Sequence, residues 1–371
     1  MSDQWEAFRE LETPCLLVEL SVLDKNIANM AALAEERGVN LRPHVKAHKC
    51  VEIARRQLEA GARGLTVAKL GEAEVMAEAG VADILIAYPI VGEAKLVRLM
   101  ALLDRCRLTL ALDSLAVAEP IAAACVARER TLDILLEVDT GLGRLGVLPG
   151  PRALALAGRL ATMPGLRLVG LMTHAGHVYA CAPDEVASVG RREGETLAAL
   201  AQALAGQGLD LPVISAGSTP TARHAAGVPG VTEIRPGNYV FHDAVQLALG
   251  VAGEADCALT VLTTVVGRPA LDRAVVDAGS KTLALDRGAH GAGNVAGFGR
   301  VVGRPGFTVT RLSEEHGILS VPPGEEPLVG ERLRLIPNHA CTVANLADRY
   351  YVVQDGLIAA EWPVAARGLT Q

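Results

Sequence analysis

What the chain lacks narrows its function before any motif is considered. No run of lysine or arginine forms a basic stripe along its 371 residues, and the formal net charge is -7, with a pI near 5.8. Nucleic acid is therefore not an expected partner. Mean hydropathy is high at +0.29, yet charges interrupt every apolar run before the roughly 20 residues that a membrane helix needs. The opening MSDQWEAFRELE is acidic and has no charged-then-apolar signal pattern, so a soluble cytoplasmic protein is expected. The seven cysteines (15, 50, 106, 125, 181, 257 and 341) are odd in number and show no C-x-x-C spacing. That argues against a disulfide framework or a structural zinc knuckle. No G-x-G-x-x-G follows the first apolar run, which disfavours a doubly wound dinucleotide-binding sheet.

What is present is an alternation. Half the residues are hydrophobic, ample for a sizeable core. Short apolar runs occur at 15–20, 39–45, 64–68, 83–87, 108–112, 134–138, 168–173 and 212–215. Between them lie amphipathic stretches at 21–37, 49–60, 70–79, 93–103, 114–128 and 184–207, several opening at Ser21, Ser114 or Asp184 and some closing at Gly38, Gly61 or Gly80. Eight β–α units predict an α/β fold, a (β/α)8 TIM-type barrel, over 1–245. Past residue 245 the runs at 258–266, 273–277, 307–312, 331–336 and 350–353 are β-branched and divided by Gly/Pro turns. They predict a C-terminal all-β domain over 246–371.

Chemistry in such a barrel gathers where strands end. The second apolar run ends in RPHVKAHKC, placing Lys46 between His44 and His48. A lysine there can be desolvated and act as a base or bond an aldehyde cofactor; the alternative is an exposed loop lysine with Lys49 as its solvated twin. EVDTGLGRLG brings Asp139 and Arg144 to a glycine-rich turn, and THAGHVY brings His174, His177 and Tyr179. SAGSTPT, with Gly217, Ser218 and Thr219, fits either an ordinary βα turn or a backbone cradle for phosphate. EIRPGNYVFHD adds Gly237, Asn238 and Tyr239 as a second wall. In PNHACT, His339 and Cys341 are two apart; on one strand they share a face and suit a borderline cation with open positions. His316 in EEHG is either a further polar wall or a turn residue.

The order and spacing of ETPCLLVEL, RPHVKAHK, EVDTGLGRLGV, THAG, GSTPT, EIRPGNYVF, VDAG, EEHG and PNHAC resemble the fold-type III pyridoxal-phosphate enzymes. The resemblance covers nearly the whole chain, and its nearest branch is the D-threonine aldolase / D-serine dehydratase family. It implies Lys46 as the Schiff-base lysine, with Gly217, Ser218 and Thr219 on the cofactor phosphate and Gly237, Asn238 and Tyr239 beside them. Arg144, His174 and Tyr179 would line the ring. It further implies a divalent metal (zinc, or manganese or magnesium) on His339 and Cys341, and a homodimer completed by the partner's β domain.

Such parts serve a lyase acting on D-3-hydroxy amino acids. Cysteine as second metal ligand resembles the dehydratases, which release a 2-oxo acid and ammonia. PHVKAHKC and EWPVAARG resemble the aldolases, which release glycine and an aldehyde, and His177 is a candidate base for that cleavage. Dehydration is the preferred expectation. A racemase is disfavoured because VDAGSKT holds no tyrosine to oppose the lysine. A non-catalytic cofactor-binding protein is disfavoured by the β domain and its His/Cys pair.

Overall fold

The first apolar run does not enter the barrel. In the computed structural model, which describes residues 8–371, β1 (Cys15–Glu19) lies in the sheet of the C-terminal domain. The start of the acidic opening segment lies outside the described residues. The barrel strands are β2 (Asn40–Leu41), β3 (Leu65–Val67), β4 (Asp83–Ile86), β5 (Arg107–Leu112), β6 (Leu132–Glu137), β7 (Leu166–Met172), β8 (Val213–Ala216) and β9 (Glu233–Ile234). They are parallel, in the order β2-β9-β8-β7-β6-β5-β4-β3. A parallel bridge from His44 to Thr66 closes the ring, reinforced by the Thr66 N–H on the Pro43 carbonyl at 2.8 Å. The expected count of eight thus holds, but its eighth member is β9 rather than β1. Two residues inside the EIRPG segment are too short a run to read as a strand.

Burial on both faces explains why the strands read as apolar runs: Ile84, Leu85 and Ile86 are all fully buried. The six expected helices form at Leu20–Arg37, Val51–Glu59, Leu70–Glu78, Glu93–Leu102, Leu115–Ala127 and Val186–Ala205, joined by Pro151–Ala161. Of the expected caps only Ser114 stands at an N-cap. Ser21 is inside a helix that begins directly off β1, and Asp184 lies in a 3-10 turn.

The second sheet contains β10 (Leu259–Ala270), β11 (Arg273–Val276), β12 (Gly299–Val301), β13 (Thr308–Leu312), β14 (Gly317–Ser320), β15 (Arg332–Pro337), β16 (Arg349–Gln354) and β17 (Leu357–Pro363). The long β10 pairs with both β11 and β15, closing an antiparallel ring in the order β10-β11-β14-β13-β12-β15. On its other half β10 pairs with β1, which in turn pairs with β16. A boundary at residue 245 therefore misassigns residues 15–19. The two domains share a core in which Leu16, Tyr239, Phe241, Val261 and Tyr350 are buried together. The Tyr350 hydroxyl also donates to the His48 carbonyl at 2.6 Å. No helix among the described residues is long and apolar enough to cross a membrane.

A cavity of about 470 Å³ opens at the N-terminal end of the barrel, lined by Arg42, Arg63, Arg107, Arg167, Asp210 and Glu233 among others. Most of its charge is already spoken for. Arg42 bonds Asp83 at 2.5 Å and Glu233 at 2.8 Å, and Arg167 grips Asp133 at 2.6 and 2.9 Å. Ion pairs plug this end, and the chemistry belongs at the other. Because the Arg42 and Glu233 side chains are both nearly fully buried, Arg42→Ala should destabilise the protein by about 3–5 kcal/mol in urea unfolding. A loss below about 1 kcal/mol would mean that water reaches the orphaned carboxylates.

Candidate active site

At the C-terminal end of the barrel the chain leaves β2 and tightens into a 3-10 turn, Val45–Ala47, with His44 as its N-cap. The His44 Nδ1 accepts the Lys46 N–H at 3.4 Å. Lys46 is half-buried and forms no ion pair among the described residues. Burial draws its ammonium below the ordinary lysine range; Arg144 and Arg235 act in the same sense, while Cys341 and Glu72 oppose them. Lys49 is no solvated twin. It is buried, with Nζ 3.2 Å from Glu72 and 3.3 Å from the Ala366 carbonyl. Of the two lysines, one is neutralised by a carboxylate and the other is left reactive.

The His48 ring secures the turn from beneath. Its Nδ1 accepts the Cys50 N–H at 3.1 Å, so Nε2 donates to the Gln57 oxygen at 3.2 Å, and Gln57 donates to the Tyr239 hydroxyl at 3.0 Å. Arg144 rides on a loop pinned by Asp139, whose carboxylate accepts the Gly141 and Gly143 N–H groups. It is exposed, forms no ion pair among the described residues, and its charge reaches Lys46, His44 and His174.

The cradle at 217–219 is tightly built. Gly217 has φ +89, and a Cβ there would stand 3.0 Å from Ala222 Cα, so glycine is required. Its N–H donates to Glu193 at 3.0 Å, as does the Ala175 N–H at 3.3 Å. Ser218 donates its N–H to the Thr221 hydroxyl at 2.8 Å, and Thr219 accepts the Tyr239 N–H at 3.1 Å. Gly237 closes the wall: a Cβ would meet the His44 carbonyl at 2.9 Å. Asn238 donates to Asp243 at 2.5 Å, and its Oδ1 is buried without a partner. Burial, with Cys341 and Asp243 nearby, pushes the Tyr179 pKa upward.

His339 and Cys341 do not share a strand. β15 ends at Pro337, and His339 is the N-cap of a helix, Ala340–Leu346, whose second residue is Cys341. The turn still brings the two side chains together. Burial disfavours a charged His339, but the Cys341 sulfur and Asp286 outweigh it and raise the imidazole well above its ordinary range. Asp286 sits 3.1 Å from His339 Nδ1, which leaves Nε2 for a cation, and it accepts from Thr342 at 2.7 Å. Among the described residues no third His, Cys, Asp or Glu joins them. Two donors, one of them a thiol, suit a borderline divalent ion with open positions.

Three groups were not singled out by sequence. His290 comes from the glycine-rich segment 284–298; its Nε2 is 3.1 Å from that of His174, and its ring centroid is 5.2 Å from that of Tyr179. Only the surrounding GAHGAG hinted at it. Arg235, inside EIRPG, is buried and donates to the Ser215 hydroxyl and the Thr173 carbonyl. Asp286 is the third. His177, by contrast, is turned elsewhere: its ring lies on Gly141, and its charged neighbours are Asp139 and Arg192 rather than Lys46. His316 is an exposed turn residue, 3.5 Å from the Ser313 hydroxyl.

Over nearly its whole length the chain is similar to known proteins. Residues 18–245 match the alanine racemase N-terminal domain, and residues 258–353 match a putative serine dehydratase domain. The D-threo-3-hydroxyaspartate dehydratase of Delftia sp. is 41% identical over 348 residues, 89% of this chain and 91% of that protein. A D-threonine aldolase from Arthrobacter sp. is 36% identical, over 97% of this chain and 94% of its own. The crystal structure of D-threonine aldolase from Filomicrobium marinum superposes with a TM-score of 0.90 at 33% identity, covering 97% of each chain. A cysteine-to-alanine variant of D-threo-3-hydroxyaspartate dehydratase, described as the metal-free form, gives a TM-score of 0.88 at 38% identity, covering 95% of this chain and 97% of that one.

Burial lowers His48, which has no exposed surface, to about 4. Unfolded histidine titrates near about 6.5, so the stability it contributes is present above that value and lost as pH falls through about 4. In a proton NMR titration of the protein, its imidazole resonance should stay unshifted from pH 8 down to about pH 5. Movement centred near about 6.5 would show that the ring is solvated.

Proposed function

The chain belongs to the fold-type III, alanine racemase-like pyridoxal-phosphate enzymes, and on that footing we propose that it dehydrates D-3-hydroxy amino acids to 2-oxo acids and ammonia. It is a lyase dependent on pyridoxal phosphate and a divalent metal. The observation that carries the dehydratase reading is Cys341 beside His339. A thiol would be the second donor, and one similar solved structure is a cysteine-to-alanine variant of a D-threo-3-hydroxyaspartate dehydratase described as the metal-free form.

The residues present fit both groups. A lysine free of ion pairs, a glycine-walled cradle and two arginines near the mouth suit a phosphorylated aldehyde, and His339 with Cys341 suits zinc first, manganese or magnesium next. When bound, the cofactor withdraws electrons from the substrate's α-carbon and the metal polarises its β-oxygen. In this reading Lys46 holds the cofactor, and its Nζ takes the α-proton. The lowered pKa of that amine keeps a larger share of it unprotonated near neutrality. Gly217, Ser218, Thr219, Gly237, Asn238 and Tyr239 fix the phosphate end, and Arg144, His174 and Tyr179 line the ring. Loss of the α-proton and β-hydroxyl releases water and leaves an enamine, which hydrolyses to the 2-oxo acid and ammonia. The reading includes a cytoplasmic homodimer whose partner β domain completes the mouth beside exposed Arg144.

Retro-aldol cleavage to glycine and an aldehyde is the second reading, favoured by the aldolase relatives that span 97% of this chain. Incubation with D-threonine or D-threo-3-hydroxyaspartate, pyridoxal phosphate and zinc decides between them. Ammonia with the 2-oxo acid is the expected outcome; glycine with an aldehyde would overturn it.

Lys46→Ala should abolish the visible absorbance of lysine-bound cofactor, and a persistent band would move the attachment to another residue. EDTA, or Cys341→Ser, should cut turnover by about a hundredfold while sparing that absorbance. If the Cys341→Ser protein turned over at full rate, the metal pair would lie elsewhere.

A further inference from the structure

We propose that Asp243 is a positioning residue that latches the metal-binding turn to the cofactor cradle, an inference that rests on the roles given above to His339, Cys341 and Asn238. Asp243 is fully buried between the two domains' contributions to the site. It stands at the N-cap of the helix Ala244–Ala248, where its Oδ1 accepts the Gln246 N–H at 3.1 Å. That bond completes the cap, and Ser, Thr or Asn would supply it as well. Capping therefore gives no reason for a second carboxylate oxygen in a buried place.

The second oxygen has other partners. Oδ2 accepts the Asn238 side-chain N–H at 2.5 Å and the Ala340 backbone N–H at 2.9 Å. Asn238 is part of the cradle wall. Ala340 lies between His339 and Cys341, and its N–H is one of the donors that every helix start leaves without an intrahelical partner. One oxygen thus ties together two segments about a hundred residues apart in sequence. It also sets the position of the peptide from which both metal donors project. Through it, anything that orders the cradle also orders the donors, so cofactor and metal are expected to favour each other's binding reciprocally.

The latch can be cut from either side. Asp243→Asn has one acceptor oxygen, enough for the cap or the latch but not both. Ala340→Pro removes the donor and turns its ring Cδ toward the Asp243 oxygen, which must move away, while the backbone accepts it: proline is tolerated at the first helical position, and His339 before it is already extended at φ -135, ψ 102. If one variant fails to fold, the other still tests the latch. The readouts are the thiolate-to-cobalt charge-transfer band of the Co²⁺-loaded protein and Co²⁺ affinity against a chromophoric chelator, each with and without pyridoxal phosphate.

In the wild type, pyridoxal phosphate should tighten Co²⁺ binding. Each variant should bind Co²⁺ about tenfold or more weakly and lose that dependence, while retaining the visible absorbance of the cofactor on Lys46. Combining the two substitutions should weaken binding little further, since both remove one interaction. Variants that match the wild type in band, affinity and cofactor dependence would reduce Asp243 to a helix cap and overturn the latch alone. A wild type without a thiolate-to-cobalt band would instead overturn the metal reading, and the latch with it.

Discussion

The site depends on keeping one ammonium group away from every carboxylate in a mouth that contains several. Glu72 lies near enough for its charge to act on Lys46 and could neutralise it. Glu72 is instead occupied: it pairs with Lys49 and caps its own helix through the Ala68 N–H at 2.6 Å. Glu193 is consumed by backbone N–H groups of the cradle. With Glu72 and Glu193 committed, Lys46 forms no ion pair among the described residues and feels the charges of Arg144 and Arg235. That arrangement costs stability and favours the uncharged amine.

This constraint accounts for what sequence could and could not disclose. Helix ranges were legible because burial of one face imposes its period, and 70–79 differs from the observed helix by a single residue. The strand register of the barrel was not. A two-residue strand such as β9 carries no period at all, whereas Cys15–Glu19, a good strand by composition, says nothing about which sheet it joins. Lys46 was found from its place at a strand end. Lys49 was misread because its partners, Glu72 and the Ala366 carbonyl, come from distant parts of the chain.

The candidate metal pair shows the same limit from another side. His339 and Cys341 were identified by spacing, but the strand geometry used to justify them was wrong. The pair converges because an N-cap and the second helical residue project from one turn. Their support by Asp286 and the approach of His290 to His174 depend on the long connection between β11 and β12. Glycines at 288, 291, 293 and 297 give that connection no periodicity to read. Arg235 was hidden for a different reason. It lies inside the EIRPG motif, and its partners, the Ser215 hydroxyl and the Thr173 carbonyl, come from other strand ends.

The placement of β1 makes the barrel an insertion between the first and second strands of the other sheet. During synthesis β1 leaves the ribosome first, yet both of its partners, β10 and β16, are made only after the barrel is complete. The helix that follows β1 directly, Leu20–Arg37, must therefore fold onto the barrel while its leading strand remains an unpaired edge. A strand made before the barrel is thus among the last to be paired. A truncated or stalled product would contain a finished barrel with a sticky N-terminal ribbon, which marks residues 15–19 as the segment most exposed to misassembly before the C-terminus is made.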